Sequence, residues 1–257
     1  MTRARVIPCL LLRNGGLVKT IGFGKPTYVG DPVNVISIFN LLEVDELVLL
    51  DITATPERRG PDFALVERIA NECTGPLAVG GGIRSIEDIR RLLFIGAEKV
   101  VINTEAARNP RLVREAADIF GSQAIVVAID VRRRWMRGYR AMANGGRTDL
   151  GIDPVKHAAA MAEAGAGEIL LTSIDRDGTM SGYDLDLIRQ VTAAVSVPVI
   201  ACGGAGCRAD LARPVLEAAA AAAAAGSLFV FQGPERGVLI NLPSRAELDD
   251  LFSGNPR

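Results

Sequence analysis

Much of residues 45–104 of this 257-residue chain returns, in the same order, in residues 167–227. Gly80-Gly81-Gly82-Ile83 answers Cys202-Gly203-Gly204-Ala205, which places Gly82 and Gly204 122 positions apart (204 − 82). Asp45-Glu46-Leu47-Val48-Leu49-Leu50-Asp51 answers Gly167-Glu168-Ile169-Leu170-Leu171-Thr172-Ser173 at the same offset, and Asn103-Thr104 answers Gly226-Ser227. Self-similarity at a fixed period reports architecture. A period of nearly half the chain calls for two copies of one large unit.

Within each copy, short apolar runs alternate with segments of helical period, the pattern of repeated βα units and a parallel sheet. Strands are expected at 5–11, 46–51, 76–79, 99–103, 124–130, 168–172 and 198–202, and in the alanine-rich stretch ending at Ala225. Helices are expected at 61–73, 86–94, 153–164 and 185–194, among others. Eight βα units in two equal halves close into a ring without leaving a sheet edge. The expectation is a single (β/α)8 TIM-barrel domain over 1–257, with half-barrels of about 1–121 and 122–257.

Composition narrows the function classes. With 49% hydrophobic and 23% charged residues the chain can bury a large core, and 29 Lys+Arg against 30 Asp+Glu supply no basic field for nucleic acid. The N-terminal apolar run is too short for a secretory signal and no run suffices to span a bilayer, so a cytoplasmic protein is expected. Cys9, Cys73, Cys202 and Cys207 lack paired metal-ligand spacing and read as small packing residues. His157, the only histidine, reads as a surface or packing residue. Neither a metal nor a cofactor is expected.

The glycine loops carry the first chemistry, because glycine lets a ligand approach the backbone and exposes N–H groups at the start of the next helix. The first half offers Gly81, Gly82, Asn103 and Thr104; the second offers Gly178, Gly204, Gly226 and Ser227. One such cluster is equally well explained as a tight turn. Two at symmetric positions point to a small-molecule ligand with a phosphate at each end.

From Arg3 to about Phe252 the chain resembles the cyclase subunit of imidazole glycerol phosphate synthase. The likeness lies in Ile7-Pro8-Cys9-Leu10, Asp51-Ile52-Thr53, Val79-Gly80-Gly81-Gly82-Ile83-Arg84, Phe120-Gly121-Ser122-Gln123, Ile129-Asp130 and Asp175-Arg176-Asp177-Gly178-Thr179. The resemblance implies a barrel that accepts ammonia from a glutaminase subunit at its lower face and closes an imidazole ring at its upper rim. It implies catalysis by Asp130 and substrate contacts from Lys19, Asp51, Thr172 and Asp177 besides the glycine-loop residues. Asp51, Asp175 and Asp177 are alternatively caps. It also implies an ammonia gate of Arg5, Glu46, Lys99 and Glu168, with Glu98 at the glutaminase interface; the alternative is a structural charge cluster.

One departure is chemical. The family pattern has aspartates at the tops of strands one and five, and the half-barrel repeat sets Leu11 opposite Asp130. Leucine transfers no proton. A narrower resemblance is to cyclase-like paralogues of surface-polysaccharide gene clusters, carried by Ile7-Pro8-Cys9-Leu10-Leu11-Leu12-Arg13-Asn14-Gly15-Gly16-Leu17-Val18-Lys19-Thr20 and Gly226-Ser227-Leu228-Phe229-Val230-Phe231-Gln232-Gly233-Pro234. It implies sugar amidation with a glutaminase and a separate ATP-dependent amidotransferase. A histidine-biosynthesis cyclase and a partner-free phosphosugar isomerase are the alternatives. Arg132, Arg133, Arg134, Trp135 and Arg137 are expected to form a basic loop after strand five, either solvated or facing a phosphorylated ligand or an acidic partner.

Overall fold

The computed structural model describes residues 4–136 and 138–253; Arg3 and Arg137, named above, lie outside them. Eight parallel strands form the barrel: β1 (Arg5–Arg13), β2 (Leu47–Asp51), β3 (Leu77–Gly80), β4 (Lys99–Ile102), β5 (Ile125–Arg134), β6 (Glu168–Ser173), β7 (Val199–Cys202) and β8 (Ala222–Ala225). Each pairs with the next, and β8 returns to β1 through Arg5↔Ala222 to Pro8↔Ala225. Every expected strand is present to within a few residues at its ends.

The outer layer contains α1 (Pro32–Leu41), α2 (Phe63–Glu72), α3 (Ile86–Phe94), α4 (Thr104–Arg108), α5 (Pro110–Phe120), α6 (Pro154–Glu163), α7 (Leu185–Thr192), α8 (Arg208–Ala218), α9 (Ser227–Val230) and α10 (Arg245–Phe252). Their starts are written locally. Asp31 accepts from Asn34 N ahead of Pro32, and Ser85 and Asp88 form a reciprocal capping box on α3.

Side-chain alternation along the strands separates two apolar regions. One lies between staves and helices, around Leu10, Leu49, Ile102, Ile129 and Leu171. The other fills the barrel: Ile7, Val48, Val101, Val126, Leu170 and Ile200 share it with Cys9, Ala78, Ala128, Cys202, Ala222 and Ala224. The same inward phase continues downward to Arg5, Glu46, Lys99 and Glu168, and upward to Leu11, Leu50, Asn103, Asp130 and Thr172.

Two segments depart from expectation. Strand five runs on to Arg134 and folds back as an antiparallel hairpin with Gly138–Ala143, through Arg132↔Arg140 and Arg133↔Tyr139. The arginines are therefore ladder residues, because backbone pairing and contacts with Asp175 and Asp149 offset their mutual repulsion. Trp135 and Met136 are left almost fully exposed at the tip. Lys19, expected in a loop, ends the strand Gly16–Lys19, which pairs with β1 through Leu11↔Val18.

Candidate functional site

Strand register places the chemical centre. Asp130 pairs with Thr172 across β5–β6, and Leu11 pairs with Leu50 across β1–β2. Leu50 and Thr172 are repeat partners 122 positions apart, so Leu11 occupies the position equivalent to Asp130. Two inward places at the top of the barrel thus hold one carboxylate and one leucine.

Asp130 faces the interior at the top of the barrel, where it is half-buried beside Thr172. Asn103 Nδ2 reaches its Oδ2 at 3.2 Å and the carbonyl of Ala128 at 3.0 Å. Burial, followed by repulsion from Asp177, raises the Asp130 pKa to about 7. A carboxyl poised there can accept or donate a proton near neutrality. Because the folded-state value lies above the unfolded one, the native state binds the proton more tightly, and stability falls as pH rises from about 4 to about 7. Asp130→Asn should remove that slope and stabilise the protein at pH 8 by on the order of 2–4 kcal/mol, with little gain at pH 4. Urea unfolding of both proteins across this range measures it; parallel pH profiles would contradict the assignment.

Beside Asp130 lies a buried ion pair. Lys19 Nζ donates to Asp177 Oδ1 at 2.7 Å, with both side chains almost fully enclosed. Burial alone would lower the Lys19 pKa, but Asp177 outweighs it and holds the ammonium above its ordinary value. The lysine stem crosses Gly226, where a Cβ would come within 2.9 Å of Lys19 Cε and 3.0 Å of the Cys9 carbonyl. Only glycine admits that approach.

The rim loops repeat one contact. Gly81 has φ 112°, and a Cβ there would strike the Asp51 carbonyl at 2.4 Å; Gly203, 122 residues on, has φ 90° and would strike Ser173 at 2.7 Å. These glycines therefore serve loop packing whatever else they do. Thr104 is buried and bonds Asn103 Oδ1, while Asn144 N donates to it. Ser227 differs: among the described residues, its Oγ is the buried side-chain polar atom without a hydrogen-bond partner. Such a group costs free energy unless something satisfies it.

The other rim aspartates have separate duties. Asp51 Oδ1 receives Thr53 N and Oγ1 and Ala54 N, while Oδ2 pairs with Arg59 at 2.7 Å. Asp175 accepts from Arg133 N at 2.7 Å. Arg59 was not legible as a site residue, although its place in Glu57-Arg58-Arg59 behind Asp51-Ile52-Thr53 is a usable signal. It borders a cavity of about 470 Å³ outside the barrel wall, lined also by Leu12, Asn14, Gly15, Asp51 and Leu65.

At the opposite end, Arg5, Glu46, Lys99 and Glu168 form a closed ring. Arg5 binds both glutamates, and Lys99 Nζ lies 3.1 Å from Glu46 and 2.9 Å from Glu168. Each carboxylate meets two cations, so the ring is neutral and plugs the barrel. Around it, the lower ends of α1 and α3 leave Leu41 82% and Phe94 89% exposed, and Glu98 is exposed beside Lys99. Exposed apolar residues around a closed polar ring are suited to a protein partner.

His157 is buried in α6, and burial lowers its pKa, as befits a packing residue. Cys9 and Cys202 are buried in the barrel. Cys207 is a correction: it is exposed, its backbone N–H held by Asp210 at the start of α8 instead of its thiol being packed. No metal-binding cluster is found among the described residues, and no described helix is long and apolar enough to cross a membrane.

Paired half-barrels with glycine-turned rim loops define a class in which the loops above the strand ends carry the chemistry. Within that class, residues 5–234 match the family described as histidine biosynthesis protein, and the chain belongs to this family, in its HisF-type branch. A Pseudomonas aeruginosa protein with the provisional name imidazole glycerol phosphate synthase subunit hisF2 is 49% identical over 97% of this chain and 99% of its own length. A Vibrio vulnificus protein with the provisional name subunit hisF3 is 46% identical over 96% and 95%. The Caulobacter vibrioides protein named imidazole glycerol phosphate synthase subunit HisF is 48% identical over 90% and 89%.

Proposed function

We propose that this chain is the ammonia-accepting barrel of a glutamine amidotransferase assembly, with a glutaminase subunit docked on its lower face. The carrying observation is the contrast between its ends: the four-charge ring is complete, while one of the two inward carboxylate places above it holds Leu11. An interlocked neutral ring excludes ions, because a bare charge is costly to desolvate. Neutral ammonia would pass once a ring member moved aside, and the interior above, built of Ile, Val, Leu, Ala and Cys, offers it an apolar surface. The ordered ring, beneath a leucine at the place equivalent to Asp130, favours delivery of ammonia over efficient ring closure. Amidation of a surface-polysaccharide sugar, with a separate ATP-dependent amidotransferase, is the downstream role suggested by the terminal signatures.

A second reading, the cyclase of histidine biosynthesis, is favoured by Asp130: its pKa of about 7 is that of a working acid–base group. In both readings the Ser227 hydroxyl, unpartnered among the described residues, supports a phosphate in the second-half rim site, with Gly82, Asn103 and Thr104 holding its counterpart on a bis-phosphate ligand.

Docking is tested through Glu98. Reversing its charge in Glu98→Lys should weaken binding of the glutaminase from the same genome by tenfold or more, with unchanged thermal stability, since the side chain is exposed. Calorimetry on the two purified subunits decides. Undiminished binding would place the glutaminase elsewhere.

A further inference from the structure

The strand Phe231–Gln232 pairs with Gly237–Val238 to form a small hairpin directly after α9. Its turn carries Arg236, in the left-handed region at φ 52° and just beyond the stretch matched by the family pattern. The Arg236 guanidinium makes one hydrogen bond among the described residues: NH2 donates to the carbonyl of Gly178 at 2.9 Å. That carbonyl belongs to a buried glycine wedged against Thr20, where a Cβ would lie 2.1 Å from the Thr20 oxygen. Thr20 follows Lys19, whose stem crosses Gly226, next to Ser227. The hairpin tip therefore joins one continuous patch with the second-half rim site.

Charge decides what Arg236 does there. The buried ammonium of Lys19 is already matched by Asp177, and Arg176 turns to Ser181. A phosphate dianion at this site would find its nearest enclosed cation neutralised. Among the described residues Arg236 has no carboxylate partner, and four of its five guanidinium N–H donors make no hydrogen bond. A planar fork held at one corner by a fixed carbonyl is pre-organised for two parallel bonds to phosphate oxygens.

We propose that Arg236 is a ligand-binding residue that clamps a phosphate group over Gly178 and Ser227, making the 231–238 hairpin the element that selects a dianionic terminus at the second-half site. The inference rests on the phosphate reading above and adds to it a residue and a selecting element. No bond is made or broken in this step; the ligand is held by charge and hydrogen bonds alone.

The test is a titration of the full chain with inorganic phosphate and, separately, glycerol 1-phosphate, followed at the backbone amides of Gly82 and Gly204. Arg236→Gln should weaken binding at Gly204 by tenfold or more and leave Gly82 unchanged. Arg236→Lys, which keeps the charge but loses the fork, should fall between. Tighter binding of the monoester than of free phosphate at Gly204 identifies a phosphorylated metabolite as the occupant, and equal binding identifies phosphate itself. Binding at both amides with no dependence on Arg236 overturns this inference alone. Absence of binding at both in the wild-type protein overturns it together with the bis-phosphate reading.

Discussion

Given the cyclase substrate and ammonium, the wild-type protein should turn over about 10²–10⁴-fold more slowly than a cyclase carrying both aspartates, the usual cost of removing one positioned acid–base group. Leu11→Asp should recover part of that rate. The recovery is partial because the two halves differ around the restored group. Asp130 has Thr172 beside it and an Asn103 amide directed at its carboxylate, whereas Leu11 pairs with Leu50 and Val18. A new carboxylate there enters an apolar setting, so Leu11→Asp should also lower stability, and its best rate should lie where that acid is still partly protonated. Single-turnover measurements on the two proteins give the ratio. A wild-type rate matching that of a two-aspartate cyclase would make histidine biosynthesis the preferred reading.

The barrel was legible because its information is local and periodic. Residues 5, 99 and 168 open three strands and residue 46 directly precedes a fourth, all in the same inward phase, and alternation alone then carries 11, 50, 103 and 172 to the inner face at the top. The equivalence of Leu11 and Asp130 followed from the repeat and is reproduced in the register. What the sequence hid depends on distant partners. Lys19 reads as a loop charge because Asp177, which lets it be buried, lies 158 positions away. Arg132 to Arg134 read as a solvated run, since a hairpin whose strands are held by cross-ladder pairing leaves little mark in charge pattern. Cys207 looks like Cys9 and Cys202 in composition, yet only the latter two have the inward phase of a strand. Among the described residues, the single hydrogen bond of the Arg236 guanidinium and the missing partner of Ser227 Oγ are properties of three-dimensional proximity, with no counterpart in spacing.

Loss of Lys99 should have the other large consequence. Its ammonium contacts both glutamates, and without it Glu46 and Glu168 share Arg5 alone in a barely hydrated plug. Breaking a buried pair by removing one partner costs about 3–5 kcal/mol. Lys99→Met, which keeps the apolar stem, should remain folded but with a lowered thermal midpoint and a ring that no longer closes. The decisive measurement is the ratio of glutamine hydrolysed to amine incorporated, made with the glutaminase and the final amidotransferase from the same genome. For the wild-type barrel the ratio should stay near one even when solution ammonia is trapped as it forms; for Lys99→Met it should rise severalfold, with the excess recovered as free ammonium. A wild-type ratio that rises when solution ammonia is trapped, or one unchanged by Lys99→Met, would contradict passage of ammonia through this barrel and leave the charged ring a structural plug.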